Sequence, residues 1–257
     1  MLIDTHCHLD DDKLYPEAGK IVADFEKNGI SAVITSSSDF ASAERNAELS
    51  TRYDGVYATV GIHPHEADGR KKEHYDAFIR MADNPKVVAI GEIGLDYFYE
   101  NSPREIQKTV LCEQMELAYS LKLPAVFHVR DAYGDFLKIV KENSGFLYYG
   151  CVVHCYSGSA EFAKELLKYD FYFGFDGPLT YKNSKNAVET AFSVPEDKIL
   201  VETDSPYLSP VPLRGTVNRP ENVVYTARKL AEIRNLSSEQ IEQITTKNAK
   251  TLFKRLK

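Results

Sequence analysis

Short apolar runs alternate with amphipathic segments eight times along the chain, and this repeat limits the possible fold more than any other feature. The runs expected as strands are 2–5, 31–36, 56–62, 87–90, 124–127, 148–153, 171–175 and 198–201. Segments with helical spacing follow each of them, at 15–28, 41–52, 74–82, 106–121, 133–142, 159–168, 184–192 and 221–234. A last helix runs over 237–253, with Ser237 as its cap. A strand that is apolar along its whole length is buried on both faces, as in a parallel sheet. Eight βα units in one domain close most naturally into a (β/α)8 TIM barrel. The 257 residues suit one such domain spanning 1–257, with no linker or low-complexity tract to divide it. The two longest irregular stretches, Asp96–Pro103 and Ser205–Pro220, follow strands and so overhang the C-terminal face.

That face is where barrels of this kind carry their chemistry. Six of the seven histidines fall on it. His6 and His8 follow the first strand and His63 and His65 the third, while His128 and His154 end the fifth and sixth. Only His74 lies elsewhere. Glu92 follows the fourth strand, and Glu202 and Asp204 the eighth. A single histidine beside a strand is ordinarily a structural group. Six on one rim, with carboxylates among them, need partners, and a bound cation offsets the cost of burying them. Residues i and i+2 of a strand share a face, so His6 and His8 can reach one ion while Cys7 points away. Cys155 alternates with His154 in the same way. Mixed imidazole and carboxylate ligands suit Zn, Mn, Fe, Co or Ni, and carboxylate-rich sites also take Mg. A two-metal site needs a bridging group, and Glu92, midway in the strand order, is the candidate.

The chain carries 31 Lys and Arg against 38 Asp and Glu, a net charge of −7. That balance gives no sign of non-specific nucleic-acid binding through a basic surface. It leaves a phosphate substrate open, because bound cations would put positive charge where it is needed. The four cysteines form no CxxC pair, which points to reduced thiols in the cytoplasm. Asp4, His6 and His8 interrupt the start, so it does not read as a secretory signal. No apolar run is long enough to span a membrane. A monomer is the default expectation.

The segments IDTHCHLD (Ile3–Asp10), GIHPHEA (Gly61–Ala67), AIGEIGLDY (Ala89–Tyr97), PAVFHVRDA (Pro124–Ala132), HCYSGS (His154–Ser159), ETDSPYL (Glu202–Leu208) and PLRGTVNRP (Pro212–Pro220) run from end to end. Together they resemble the TatD family of metal-dependent deoxyribonucleases, within the amidohydrolase-like barrels. The resemblance implies that His6, His8, Glu92 and Asp204 bind one divalent ion. It implies that Glu92, His128 and His154 bind a second, with Glu92 bridging. His63 and Glu202 are implicated by it in substrate handling or a third ion. The implied activity is metal-dependent cleavage of DNA phosphodiesters, from the 3′ end, with Mg, Mn or Zn as the ion. Some members are reported to deacylate D-aminoacyl-tRNA. That reaction, and an amidohydrolase-type esterase or lactonase, stand as alternatives on the same site.

Within this scheme Asp204 is the candidate general base, with a role as ligand alone as its alternative. His63 can donate a hydrogen bond to a phosphate oxygen. Arg130, Arg214 and Asn218 are candidates for the substrate, since guanidinium forks match phosphate geometry. For Arg130 the alternative is a salt bridge that orients a carboxylate ligand. Tyr97, Phe98 and Tyr99, after the fourth strand, can stack on bases or pack beneath their loop.

Overall fold

The computed structural model describes residues Met1–Lys257. Eight parallel strands form one sheet in sequential order. They are β1 (Leu2–Cys7), β2 (Ile30–Thr35), β3 (Val56–Val60), β4 (Val87–Asp96), β5 (Ala125–Arg130), β6 (Cys151–Val153), β7 (Phe171–Phe175) and β8 (Ile199–Val201). A helix follows each: α1 (Ala18–Ala23), α2 (Phe40–Arg52), α3 (Lys72–Met81), α4 (Arg104–Leu121), α5 (Tyr133–Glu142), α6 (Ala160–Leu167), α7 (Lys185–Ser193) and α8 (Val223–Arg234). A ninth, α9 (Ser238–Leu252), ends the chain. This is the expected (β/α)8 barrel. No helix is long and apolar enough to cross a membrane.

The seam between β8 and β1 closes just beyond the end of β8. The Asp204 amide donates to the His6 carbonyl at 2.9 Å, and the His8 amide to the Ser205 carbonyl at 2.7 Å. The buried Asp4 carboxylate completes the seam, accepting from the Thr203 amide at 2.9 Å and the Thr203 hydroxyl at 2.6 Å. Closing the barrel thus brings Asp204 beside His6 and His8.

A cluster of 14 buried residues fills the base of the barrel. It joins Ile34, Val126, Val152, Tyr172 and Leu200 of the strands to Ala249, Leu252, Phe253 and Leu256 at the end of the chain. Two residues further along the same faces come Ser36, His128, His154, Gly174 and Glu202. The period of two therefore carries each face from an apolar floor, plugged by α9, to a polar rim.

Several elements depart from the expected bounds. The strand expected over 87–90 continues to Asp96, because Glu92 and Asp96 are buried against histidines and need no loop to reach water. The helix expected over 15–28 is broken into a 3₁₀ turn at Tyr15–Glu17, the short α1, and a second 3₁₀ turn at Glu26–Asn28. The tightening at its end draws Phe25 into the core, and Gly29 stops it in the left-handed region at φ 74°. The strand expected over 148–153 begins only at Cys151, after a 3₁₀ turn at Ser144–Leu147. The expected caps hold: Ser159 accepts from the Phe162 amide, and Ser237 forms a capping box with Gln240.

Gly94 shows how tightly β4 meets β5. It has φ 151°, and a Cβ there would run into the His128 carbonyl. Gly94→Ala must therefore push β4 and β5 away from each other, and these strands carry Glu92 and His128. The expected loss is about 3 kcal/mol of stability or more, read by chemical denaturation. An unchanged denaturation midpoint would show that β4 and β5 separate freely.

Candidate metal centre

Glu92 enters the site where the pairing of β4 with β5 skips between Ile90 and Ile93. Its carboxylate is buried, and its two oxygens face different imidazoles. Oε1 lies 2.6 Å from His154 Nε2, 2.8 Å from His128 Nδ1 and 3.4 Å from His63 Nε2. Oε2 lies 3.3 Å from His6 Nε2 and 3.9 Å from His8 Nε2. Asp204 Oδ1 meets the second set, 3.2 Å from His8 Nε2 and 3.6 Å from His6 Nε2. Three groups bring donor atoms within reach of one ion: His6–His8–Asp204, His6–Glu92–His154 and His63–Glu92–His128. No cysteine belongs to any of them, and all four thiols are free.

The residues fit a divalent cation on two counts. His6 Nε2 is fully buried yet has no hydrogen-bond partner. His128 Nδ1 and His154 Nε2 face each other at 3.2 Å beside the same carboxylate oxygen. Imidazole nitrogens gathered in this way around one buried carboxylate can give up their protons to a single positive centre.

The outer nitrogens of the rings fix which inner ones are free. His8 Nδ1 donates to the Ser36 carbonyl at 2.8 Å, leaving Nε2 as a ligand atom. His6 Nδ1 lies 3.2 Å from the Ser36 hydroxyl, again turning Nε2 inward. His128 Nε2 donates to Asp96 Oδ2 at 3.0 Å, so Nδ1 faces Glu92. A carboxylate behind a ligating imidazole sets its tautomer and raises its basicity. His63 is wired the other way. Its Nδ1 accepts the His65 amide at 3.1 Å, so the proton of the neutral ring sits on Nε2. Nε2 is then a donor pointed at the centre, and His63 stands apart from the ligands in its group.

Charge follows the same plan. Burial opposes charge on His8, but the hydrogen bond and charge of Asp204 hold it up at about 10. Burial likewise opposes charge on His128, and Asp96 with Glu92 raises it to about 9. His6 and His63 are both lowered to about 4, mainly by burial. For Glu92, burial is outweighed by the surrounding histidines, which keep it well below the usual carboxylate range. For Asp204, burial is outweighed by the His8 contact, which lowers it.

Two residues expected to touch substrate do not face the open side. Glu202 is 1% exposed and fills the space left by Gly174, its Oε1 lying 3.7 Å behind His154 Nδ1. It belongs to none of the three ligand groups. Asn218 is fully buried, and its amide is spent on the loop after β8. It donates to the Thr203 and Tyr207 carbonyls and accepts from the Arg219 amide. Arg214 is exposed, its guanidinium 4.2 Å over the Tyr181 ring. Arg130 does not form the alternative salt bridge and instead stacks on Phe98 and Tyr99.

Sequence reasoning missed Asp96 as a site residue. Its buried carboxylate accepts from His128 Nε2 and from His65 Nε2 at 2.9 Å. The signal was there: Glu92, Gly94 and Asp96 alternate along one strand and share a face. Asp96→Asn should cost about 10- to 100-fold in metal affinity, by titration with the metal, and should also lower the melting temperature of the metal-free protein, because it removes the charge that supports the His128 imidazolium. Equal affinity in the two proteins would remove the positioning role of Asp96.

Ligand nitrogens must be deprotonated to bind a metal. His8 and His128 keep their protons near neutral pH in the metal-free protein, so full loading should release about two protons. The sign follows: affinity rises with pH toward those two values and falls in acid. Calorimetric titration in two buffers of different ionisation enthalpy reads the number directly, and no proton release would contradict the arrangement.

A family model described as "TatD related DNase" matches residues 3–254. The chain is 39% identical over 254 residues to the uncharacterized metal-dependent hydrolase YabD of Bacillus subtilis, covering 99% of both chains. It is 33% identical over 257 residues to the uncharacterized metal-dependent hydrolase YcfH of Escherichia coli, covering 98% of this chain and 95% of that one. The crystal structure of YJJV, a TatD homologue from Escherichia coli, superposes with a TM-score of 0.92 at 28% identity, covering 98% of each chain. With the barrel and its histidine–carboxylate rim, these matches place the chain in the TatD-related family of metal-dependent hydrolases.

Proposed function

We propose that the protein hydrolyses phosphodiester bonds of DNA, as a 3′–5′ exonuclease that uses two divalent ions. The observation that carries this reading is the division of Glu92, with Oε2 toward His6 and His8 and Oε1 toward His128 and His154. In this reading His6, His8, Glu92 and Asp204 hold one ion, and Glu92, His128 and His154 the other. Mg, Mn or Zn suits such a donor set. When bound, the pair of ions lowers the pKa of a water and neutralises charge that grows on the phosphate.

The chain's own residues supply the rest. The His8 contact favours the charged form of Asp204 and falls on its Oδ1, which leaves Oδ2 to accept the proton of the attacking water. His63, neutral and with its proton on Nε2, donates to a non-bridging phosphate oxygen. Arg214, exposed in the loop after β8 and without a carboxylate partner, would hold a neighbouring phosphate. The name of the family model favours DNA. Hydrolysis of a small ester or lactone, or of D-aminoacyl-tRNA, has only the shared barrel and centre in its favour.

The test is hydrolysis of a 3′-labelled single-stranded oligonucleotide by chelator-treated protein, with and without Mg or Mn. Metal should restore cleavage from the 3′ end. Glu92→Ala should lower the rate by at least about a hundredfold. His63→Ala should lower it by about a hundredfold without weakening metal binding. Protein that binds its ions yet cleaves no oligonucleotide would overturn the nuclease reading.

A further inference from the structure

Three aromatic residues follow one another at the end of β4, and they have different environments. Tyr97 is an anchor, half-buried, donating through its hydroxyl to Asp135 at 2.8 Å and covered by Arg104 at 4.2 Å. Phe98 and Tyr99 are each 55% exposed and pack edge to face, with ring centroids 4.8 Å apart. Leaving two large rings in water forgoes burial that the core elsewhere obtains. Other aromatic side chains of this chain are as exposed, Tyr148 and Phe192 among them, so what sets this pair apart is its place beside the metal centre.

Arg130 completes the feature. It lies two residues beyond His128 on the same face of β5. Its guanidinium sits 4.0 Å from the centre of the Phe98 ring and 4.9 Å from that of Tyr99. No carboxylate pairs with it, so its N–H edges stay available for an oxygen. The platform is also fixed to the metal centre. Asp96 Oδ1 accepts the amides of Phe98 and Tyr99, both at 2.9 Å, while its Oδ2 holds His128 and His65. One ring separates Tyr99 from the ligand. Its centroid is 5.3 Å from that of His65, which is 6.2 Å from that of His128.

We propose that Phe98 and Tyr99, with Arg130 across their rings, form a subsite that stacks a nucleobase of the substrate beside the metal centre. The inference rests on the nucleic-acid reading given above. Each exposed ring can offer a face to a base, and the guanidinium adds cation–π attraction and free donors, the combination that holds bases without reading their identity. Asp96 fixes the distance between this base and the phosphate at the ions. The subsite therefore sets which phosphodiester along a strand reaches the centre.

The chain contains no tryptophan, so Phe98→Trp introduces a single indole reporter at the subsite. With Mg present, deoxyadenosine 5′-monophosphate should quench its fluorescence saturably. Deoxyribose 5-phosphate, which lacks the base, should act at least about tenfold more weakly. Arg130→Ala in the same background should weaken the nucleotide by about threefold. In cleavage, the double variant Phe98→Ala/Tyr99→Ala should lose about tenfold more kcat/KM on an oligonucleotide with a terminal base than on one with a terminal abasic unit. Equal quenching by both ligands, or equal losses on both oligonucleotides, would overturn the subsite even if the wild-type protein is a nuclease. Selective quenching by the nucleotide, in protein that cleaves no oligonucleotide with any metal, would uphold the subsite and overturn the nuclease reading.

Discussion

The site depends on one buried anion. Glu92 is 2% exposed, and a carboxylate so enclosed is tolerable only if positive charge or donors surround it. Five imidazoles do so, from β1, β3, β5, β6 and the turns that follow them. The dependence is mutual. Without Glu92, His6 and His154 stack face to face at 3.9 Å with no anion to justify their contact. The barrel is what makes the arrangement possible, because strands distant in sequence deliver these groups only when the seam at Asp4 and Thr203 is closed.

Much of this was legible in the sequence. Apolar runs marked the strands, and the histidines that ended them marked the rim, because a period of two needs no tertiary information. The ligand set came with the resemblance, and the structure brings those residues together. What was hidden depended on packing. GEIGLD reads as a loop because it carries two carboxylates and two glycines, yet it is strand, since both acids face histidines. Asn218 reads as a rim contact, but its carboxamide satisfies loop carbonyls that no other donor reaches. Glu202 reads as open, but the missing side chain at Gly174 leaves it a place behind His154. The wiring of His63 could not be read at all, because it turns on one backbone amide, that of His65.

Net charge and local charge point in opposite directions here. The chain is acidic overall, at −7, which repels a polyanion at long range. Long-range attraction is screened within about 10 Å in ordinary salt, so the decisive terms are local. On the proposed reading, those terms at the rim would be the cations that the centre takes up, Arg214 over Tyr181 and Arg130 over Phe98 and Tyr99. Stacking contributes affinity that salt does not remove. An acidic barrel can thus act on a nucleic acid if it takes hold of a few nucleotides at the centre and leaves the rest of the strand alone.

The floor beneath the centre bears on how strongly the charges above it act. Ile34, Val126, Val152, Tyr172 and Leu200 fill the barrel interior, and Leu252 and Phe253 close it from below. The interior is therefore closed beneath the ligand side chains, and the rim is their open side. A low-dielectric floor strengthens each interaction above it relative to the same pair in water. It also fixes the strands on which the ligands ride, since a packed interior resists the small shifts that would open the ligand set. The α9 plug, far from the chemistry, in this sense belongs to the metal centre.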